Sequence, residues 1–195
     1  MQINIFSGKI AKLRSEMLVV SCFEDVRPLG GLAGEIDWLY GGIFSSLMMQ
    51  NRMTGKLGEL LLLAAQDKLQ VSKIILVGLG MSASYGYPQL NTVAENLYRS
   101  INGLNVRERA VELFVPAERK LDLILLMESF LNGWHAGSKG MGEKKDEPFD
   151  LTFVVKQGEG AKRLQQKILN GEYLREEPYS VGAESGTGAR SGSFH

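Results

Sequence analysis

Two unbroken apolar runs, GELLLLAA (58–65) and KIILVGLG (73–80), constrain this chain more than any other feature. A strand with one wet face alternates apolar and polar residues, whereas an unbroken run suits a strand buried on both faces. The two runs therefore call for a sheet with helices on either side and predict that 58–64 and 73–78 are its central strands. INIF (3–6), MLVVSC (17–22), AVELFVP (110–116) and FDLTFVV (149–155) complete six strands. Helical spacing fills the intervals. From Gly34, the positions Ile36, Tyr40, Ile43, Phe44, Leu47 and Met48 recur every three or four residues. Pro88 can open a second helix, with Leu90, Val93, Ala94, Leu97 and Ile101 inward. A third spans about 118–134 and is apolar over much of its surface; a fourth, near 160–169, turns Ala161, Leu164 and Ile168 inward. The expected architecture is α/β: a three-layer α/β/α sandwich around a mixed, largely buried six-stranded sheet.

Composition narrows the setting. The 195 residues suit one domain over 1–170 and a Gly/Ser-rich tail over 171–195, whose polar end is expected to be disordered. The glycine-rich, charged stretch 137–148 reads as an exposed linker inside the domain. Lys plus Arg and Asp plus Glu are 22 each, so nucleic acid is not an expected partner. The single cysteine, Cys22, excludes a disulfide within the chain and points to a reducing compartment. Neither a signal-peptide pattern nor an apolar run near the roughly 20 residues of a membrane span is present, so a cytoplasmic location without a membrane partner is expected.

No catalytic set emerges. The histidines are His135, read as capping a helix end, and His195; HExxH and CxxC are absent, so neither a metal site nor a cofactor is expected. Cys22 ends a strand, where α/β sites gather, but the acidic neighbours Glu24 and Asp25 raise a thiol pKa and favour a buried structural thiol. Glu24 and Asp25 could together take a hard cation, although such sites use six or more oxygens; loop acids or a helix-start cap is the plainer reading.

The stretch PLGGLAGEIDWLYGG (28–42) carries the candidate binding site. Gly30 and Gly31 can present bare N–H groups, and the helix start near Ala33–Gly34 adds about half a positive charge. The candidate ligand set is Cys22, Phe23, Glu24, Asp25, Gly30, Gly31, Leu32, Ala33 and Gly34, suited to a small anion. Against this stands a packing turn, with its N–H groups taken by Glu35, Asp37 or a backbone carbonyl and its groove filled by Phe23 or Trp38. A ligand loop would instead face an open pocket at the C-terminal strand ends. Gly41–Gly42 inside the helix would cost about 2 kcal/mol relative to alanine, which implies a close neighbour or a break.

These residues support a family resemblance. LVVSCFEDVRPLGGLAGEIDWLYGGIFSSLM, TGKLGELLLLAAQDKL and SKIILVGLG follow one another as in the N-terminal domain of leucyl aminopeptidases, and the whole chain to about residue 170 is similar to that domain. The family's two-zinc chemistry belongs to a second, C-terminal domain with an NTDAEGRL-type segment, which has no counterpart here, so the resemblance transfers no catalytic residue. The chain breaks off where the family's connecting helix would begin. That N-terminal domain in turn resembles the macro domain, an ADP-ribose-binding fold. Here the asparagines that follow the macro strand are replaced by Cys22–Asp25, and AERKLDL stands where a second glycine loop is expected. The resemblance implies a non-catalytic assembly, regulatory or protein-interaction module, with itself or an aminopeptidase-type protein as partner. The alternatives are a macro-like binder of a nucleotide or ADP-ribose-type anion at Gly30–Gly34, and an enzyme using Cys22 or the Glu24/Asp25 pair.

Overall fold

A computed structural model describes residues 2–116, 119–139 and 149–171. The strands are β1 (Gln2–Phe6), β2 (Arg14–Cys22), β3 (Leu60–Ala64), β4 (Gln70–Gly78), β5 (Glu108–Glu112) and β6 (Asp150–Val154). They form one sheet in the order β1-β6-β5-β2-β4-β3, parallel throughout except for the antiparallel β3–β4 hairpin. Helices α1 (Gly31–Leu39) and α2 (Ile43–Met49) lie on one face. On the other lie α3 (Tyr87–Ile101), α4 (Leu123–Lys139) and α5 (Glu159–Leu169). The three-layer expectation holds, with a separate core on each side. Met17, Val19, Ile75 and Val77 face α3 and α4; Leu18, Val20, Ile74 and Leu76 face α1 and α2. This alternation along β2 and β4 is what an unbroken apolar run looks like in space.

Only one of the two expected central strands is interior. β4 lies between β2 and β3, but β3 is the last strand of the sheet, and Leu62 is 49% exposed. The burial expected of the first run fails with its position: Leu60, Leu61 and Leu63 are only partly buried and Leu62 and Ala64 are exposed, because a hairpin lays β3 at the rim beside β4.

The helices depart from expectation at their ends. The periodic run from Gly34 is two helices, broken where Gly41 and Gly42 adopt φ of 68° and 85°. No atom stands within 4 Å of a Cβ built at either, so the pair serves the break and not a close approach. Asp37 caps the new helix, accepting from the N–H of Phe44 (2.7 Å) and of Ser45 (3.1 Å). Helix α3 has Pro88 in its first turn and buries the five residues assigned to its inner face. Helix α4 starts at Leu123, where Asp122 accepts from the N–H of Ile124 at 2.8 Å, and continues to Lys139. His135 is therefore an exposed residue within α4 and not a cap at its end. The expected linker loses residues 137–139 to α4, and its remainder lies outside the described residues, as do the tail from 172 onward and His195.

Candidate functional site: a cleft at the strand ends

In an open parallel sheet, clefts form beyond the C-terminal strand ends, where successive connections leave toward opposite faces. Here β2 leads to α1 on one face and β4 leads to α3 on the other. Between them opens a cleft of about 510 Å³. Ser21 and Phe23 from the end of β2, Gly30 and Gly31 before α1, Phe114 after β5 and Lys156 after β6 supply much of its wall. Phe23 is buried and packs on Tyr85 (ring centroids 5.3 Å) and Phe114 (5.7 Å). Arg119, also in the lining, donates to the carbonyls of Ala83 (3.0 Å) and Tyr85 (2.6 Å).

The loop from Phe23 to Leu29 is tied down on both sides. Glu24 donates its N–H to the Gly80 carbonyl at 2.9 Å. The Asp25 carboxylate accepts from the Ser82 N–H and hydroxyl, both at 2.8 Å, and these bonds hold its pKa below the usual carboxylate range. Asp25 thus caps the short helical turn 82–84, the plainer of its two readings. Glu24 and Asp25 form no cation cluster, and among the described residues no three His, Cys, Asp or Glu side chains converge to hold a metal. Cys22 is 4% exposed, and burial pushes its thiol up to about 12, against the pull of Arg27.

A residue that sequence reasoning missed organises the start of α1. Glu112, the last residue of β5, is 6% exposed. One carboxylate oxygen accepts from the Leu32 N–H at 2.7 Å and the other from the Ser21 N–H at 3.1 Å. The positive end of α1 is therefore met by an internal carboxylate from the adjacent strand. Desolvation raises the Glu112 pKa to about 7, against the two N–H bonds and Lys156, which lower it. The acceptors expected for this turn are occupied elsewhere or exposed: Asp37 caps α2, and Glu35 is exposed. The available signal was a charged residue in the otherwise apolar run AVELFVP.

Gly31 is fixed by this arrangement. Its φ is 59°, and a Cβ there would stand 2.5 Å from a Glu112 oxygen and 2.6 Å from the Phe114 ring. Gly34 donates to the Gly30 carbonyl at 3.0 Å, and Ala33 is fully buried against the sheet. Gly30 is different: its φ is −99°, and a Cβ would meet only Phe114, at 3.6 Å. Among the described residues, no acceptor takes the N–H of Gly30 or Gly31. Trp38, named as a possible groove filler, is 84% exposed and lies outside the cleft lining. The stretch combines both alternatives: Leu32 to Gly34 are spent on packing, while the cleft above Gly30 and Gly31 is open. Of the nine candidate residues, Cys22, Phe23, Gly30 and Gly31 line it; Glu24, Asp25, Leu32, Ala33 and Gly34 do not.

Comparison with known proteins places this geometry. A probable cytosol aminopeptidase of Azotobacter vinelandii is 29% identical over 159 residues, which cover 80% of this chain and 32% of that protein. The chain thus spans about a third of that relative's length. Among solved structures, a tomato leucine aminopeptidase mutant superposes with a TM-score of 0.63 at 16% identity, covering 87% of this chain and 35% of that one. A Trypanosoma brucei macrodomain in complex with ADP-ribose superposes with a TM-score of 0.64 at 14% identity, covering 86% and 69%. At these identities the two structures show a shared fold, the macro-like α/β sandwich. The family assignment rests on the sequence: residues 19–129 match the model of the cytosol aminopeptidase family, N-terminal domain, and the chain belongs to that family.

Proposed function

We propose that residues 1–170 form a non-catalytic module of aminopeptidase N-terminal type, acting in assembly, regulation or protein interaction in the cytoplasm. One observation carries this reading: the Cys22 thiol near the cleft is buried, and the carboxylates of Asp25 and Glu112 are committed to hydrogen bonds within the protein. Asp25 is bonded to Ser82, and Glu112 bridges Ser21 and Leu32. A nucleophile needs a lowered pKa or an adjacent base, and Cys22 has the opposite environment. The resemblance assigns the family's zinc chemistry to another domain, and the balanced charge of the chain gives no support to nucleic-acid binding. The purified chain, supplied with zinc or manganese, is expected to leave leucyl amides intact. Metal-dependent hydrolysis that survives repeated purification and disappears in Asp25→Asn or Cys22→Ser would overturn the reading.

The open cleft favours a second reading, a macro-like site for a nucleotide or ADP-ribose-type anion. Its support is the volume of about 510 Å³, the Lys156 ammonium and the unspent N–H groups of Gly30 and Gly31. Calorimetric titration with ADP-ribose tests it, with Gly30→Asp as the blocking variant because position 30 has room for a side chain. Binding to the wild type that is lost in folded Gly30→Asp would establish this reading; no heat of binding in either would remove it.

A further inference from the structure

Strand β3 closes one side of the sheet, paired with β4 and, among the described residues, with no strand beyond it. The bond from the Ala65 N–H to the Ser72 carbonyl fixes the parity of the hairpin. With Leu63 opposite Ile74 and Leu61 opposite Leu76, residues 61, 63 and 65 aim their backbone groups at β4. Those of Leu60, Leu62 and Ala64 therefore point out of the edge. An outward row of N–H and C=O groups is complementary to another extended strand. Soluble proteins usually blunt such a row with Lys, Pro or a bulge. This strand reads LLLLA, and no charged residue falls between Glu59 and Asp67. Leu62 is 49% exposed, and Leu57, three residues before the strand, is 43% exposed.

We infer that β3 pairs antiparallel with β3 of a second copy of this chain across a two-fold axis at Leu62, joining two six-stranded sheets into one. A two-fold axis converts identical strands into an antiparallel pair with the same patch on both partners. The register uses the outward groups in full. Leu62 meets its own counterpart, and Leu60 meets Ala64 on either side of it, each pair exchanging both backbone bonds. Glu59 then falls opposite Ala65, so no like charges oppose each other along the strand. The other edge strand, β1, reads QINIF, alternates polar and apolar residues, and lacks this uninterrupted apolar row.

This inference deepens the assembly reading and rests on it. Sedimentation velocity over a concentration series is the test, applied to the wild type, Leu62→Lys and Leu62→Glu. Half-exposed Leu62 tolerates either substitution in the fold, which circular dichroism checks. The wild type is expected to dimerise with rising concentration. Each variant should be monomeric, because like charges then face each other across the axis, and an equimolar mixture of the two should regain the dimer. A wild type that stays monomeric overturns the pairing, as does a mixture of variants that fails to associate. If Leu62→Lys assembles as strongly as the wild type, the edge is the wrong surface while the assembly reading stands.

Discussion

Replacing Glu112 with glutamine should change how stability depends on pH. Burial raises the folded-state pKa of Glu112 from 4.5 to about 7. Between those values the folded chain holds a proton on Glu112 that the unfolded chain has released, so stability falls as pH rises through the window and levels off above it. At about 1.4 kcal/mol per unit, the raised value amounts to roughly 3 kcal/mol of destabilisation, complete above pH 7 and absent below 4.5. Glutamine is nearly isosteric with the protonated acid and does not titrate. Its NH₂ must face either the Ser21 or the Leu32 N–H, which orphans one donor and costs about 1–3 kcal/mol at every pH. Glu112→Gln is thus expected to be the less stable protein near pH 4.5 and to gain about 3 kcal/mol relative to the wild type by pH 8. Urea denaturation of both proteins across this range, followed by tryptophan fluorescence, gives the difference directly, and other titrating groups cancel in it. Parallel stability curves would refute the raised pKa of the buried Glu112 carboxyl at the start of α1.

Two further outcomes follow from the same region. Gly31→Ala should lower stability by about 2 kcal/mol or more, since it adds left-handed strain to contacts of 2.5–2.6 Å with Glu112 and Phe114, whereas Gly30→Ala should stay within about 1 kcal/mol of the wild type; thermal melts of the pair decide. Cys22, with its thiol near 12, should resist a thiol reagent at pH 8 in the native protein and react fully in urea, and native labelling as fast as that of a free thiol would contradict its burial.

Much of the fold was legible because it is local. The inner face of α3 followed from spacing alone, since Leu90, Val93, Ala94, Leu97 and Ile101 recur with the helical period. The break at Gly41–Gly42 was half legible: the energetic penalty was visible, but only the empty space around both residues decides between a break and a close approach. The position of β3 was not legible, because lateral order in a sheet is set by connections and not by the composition of a strand. Nor was Glu112, whose partners Ser21 and Leu32 lie 91 and 80 residues away in sequence. The candidate loop was visible from its glycines, but whether a groove stood above it depended on Phe114, Arg119 and Lys156, which arrive from distant segments.

The pairing of β1 with β6 has a bearing on how the chain acquires its structure. Gln2 lies opposite Asp150 and Phe6 opposite Val154, so the first strand has no partner until almost the whole domain has been synthesised. Strands β2, β3 and β4 come together within the first 78 residues and can condense with α1 and α2 while the rest of the chain is still being made. Folding should therefore begin at the β2–β3–β4 unit and end with the N-terminal strand, which closes a loop of about 150 residues after every other strand is in place. Of the six strands, the one synthesised first is the last to be ordered.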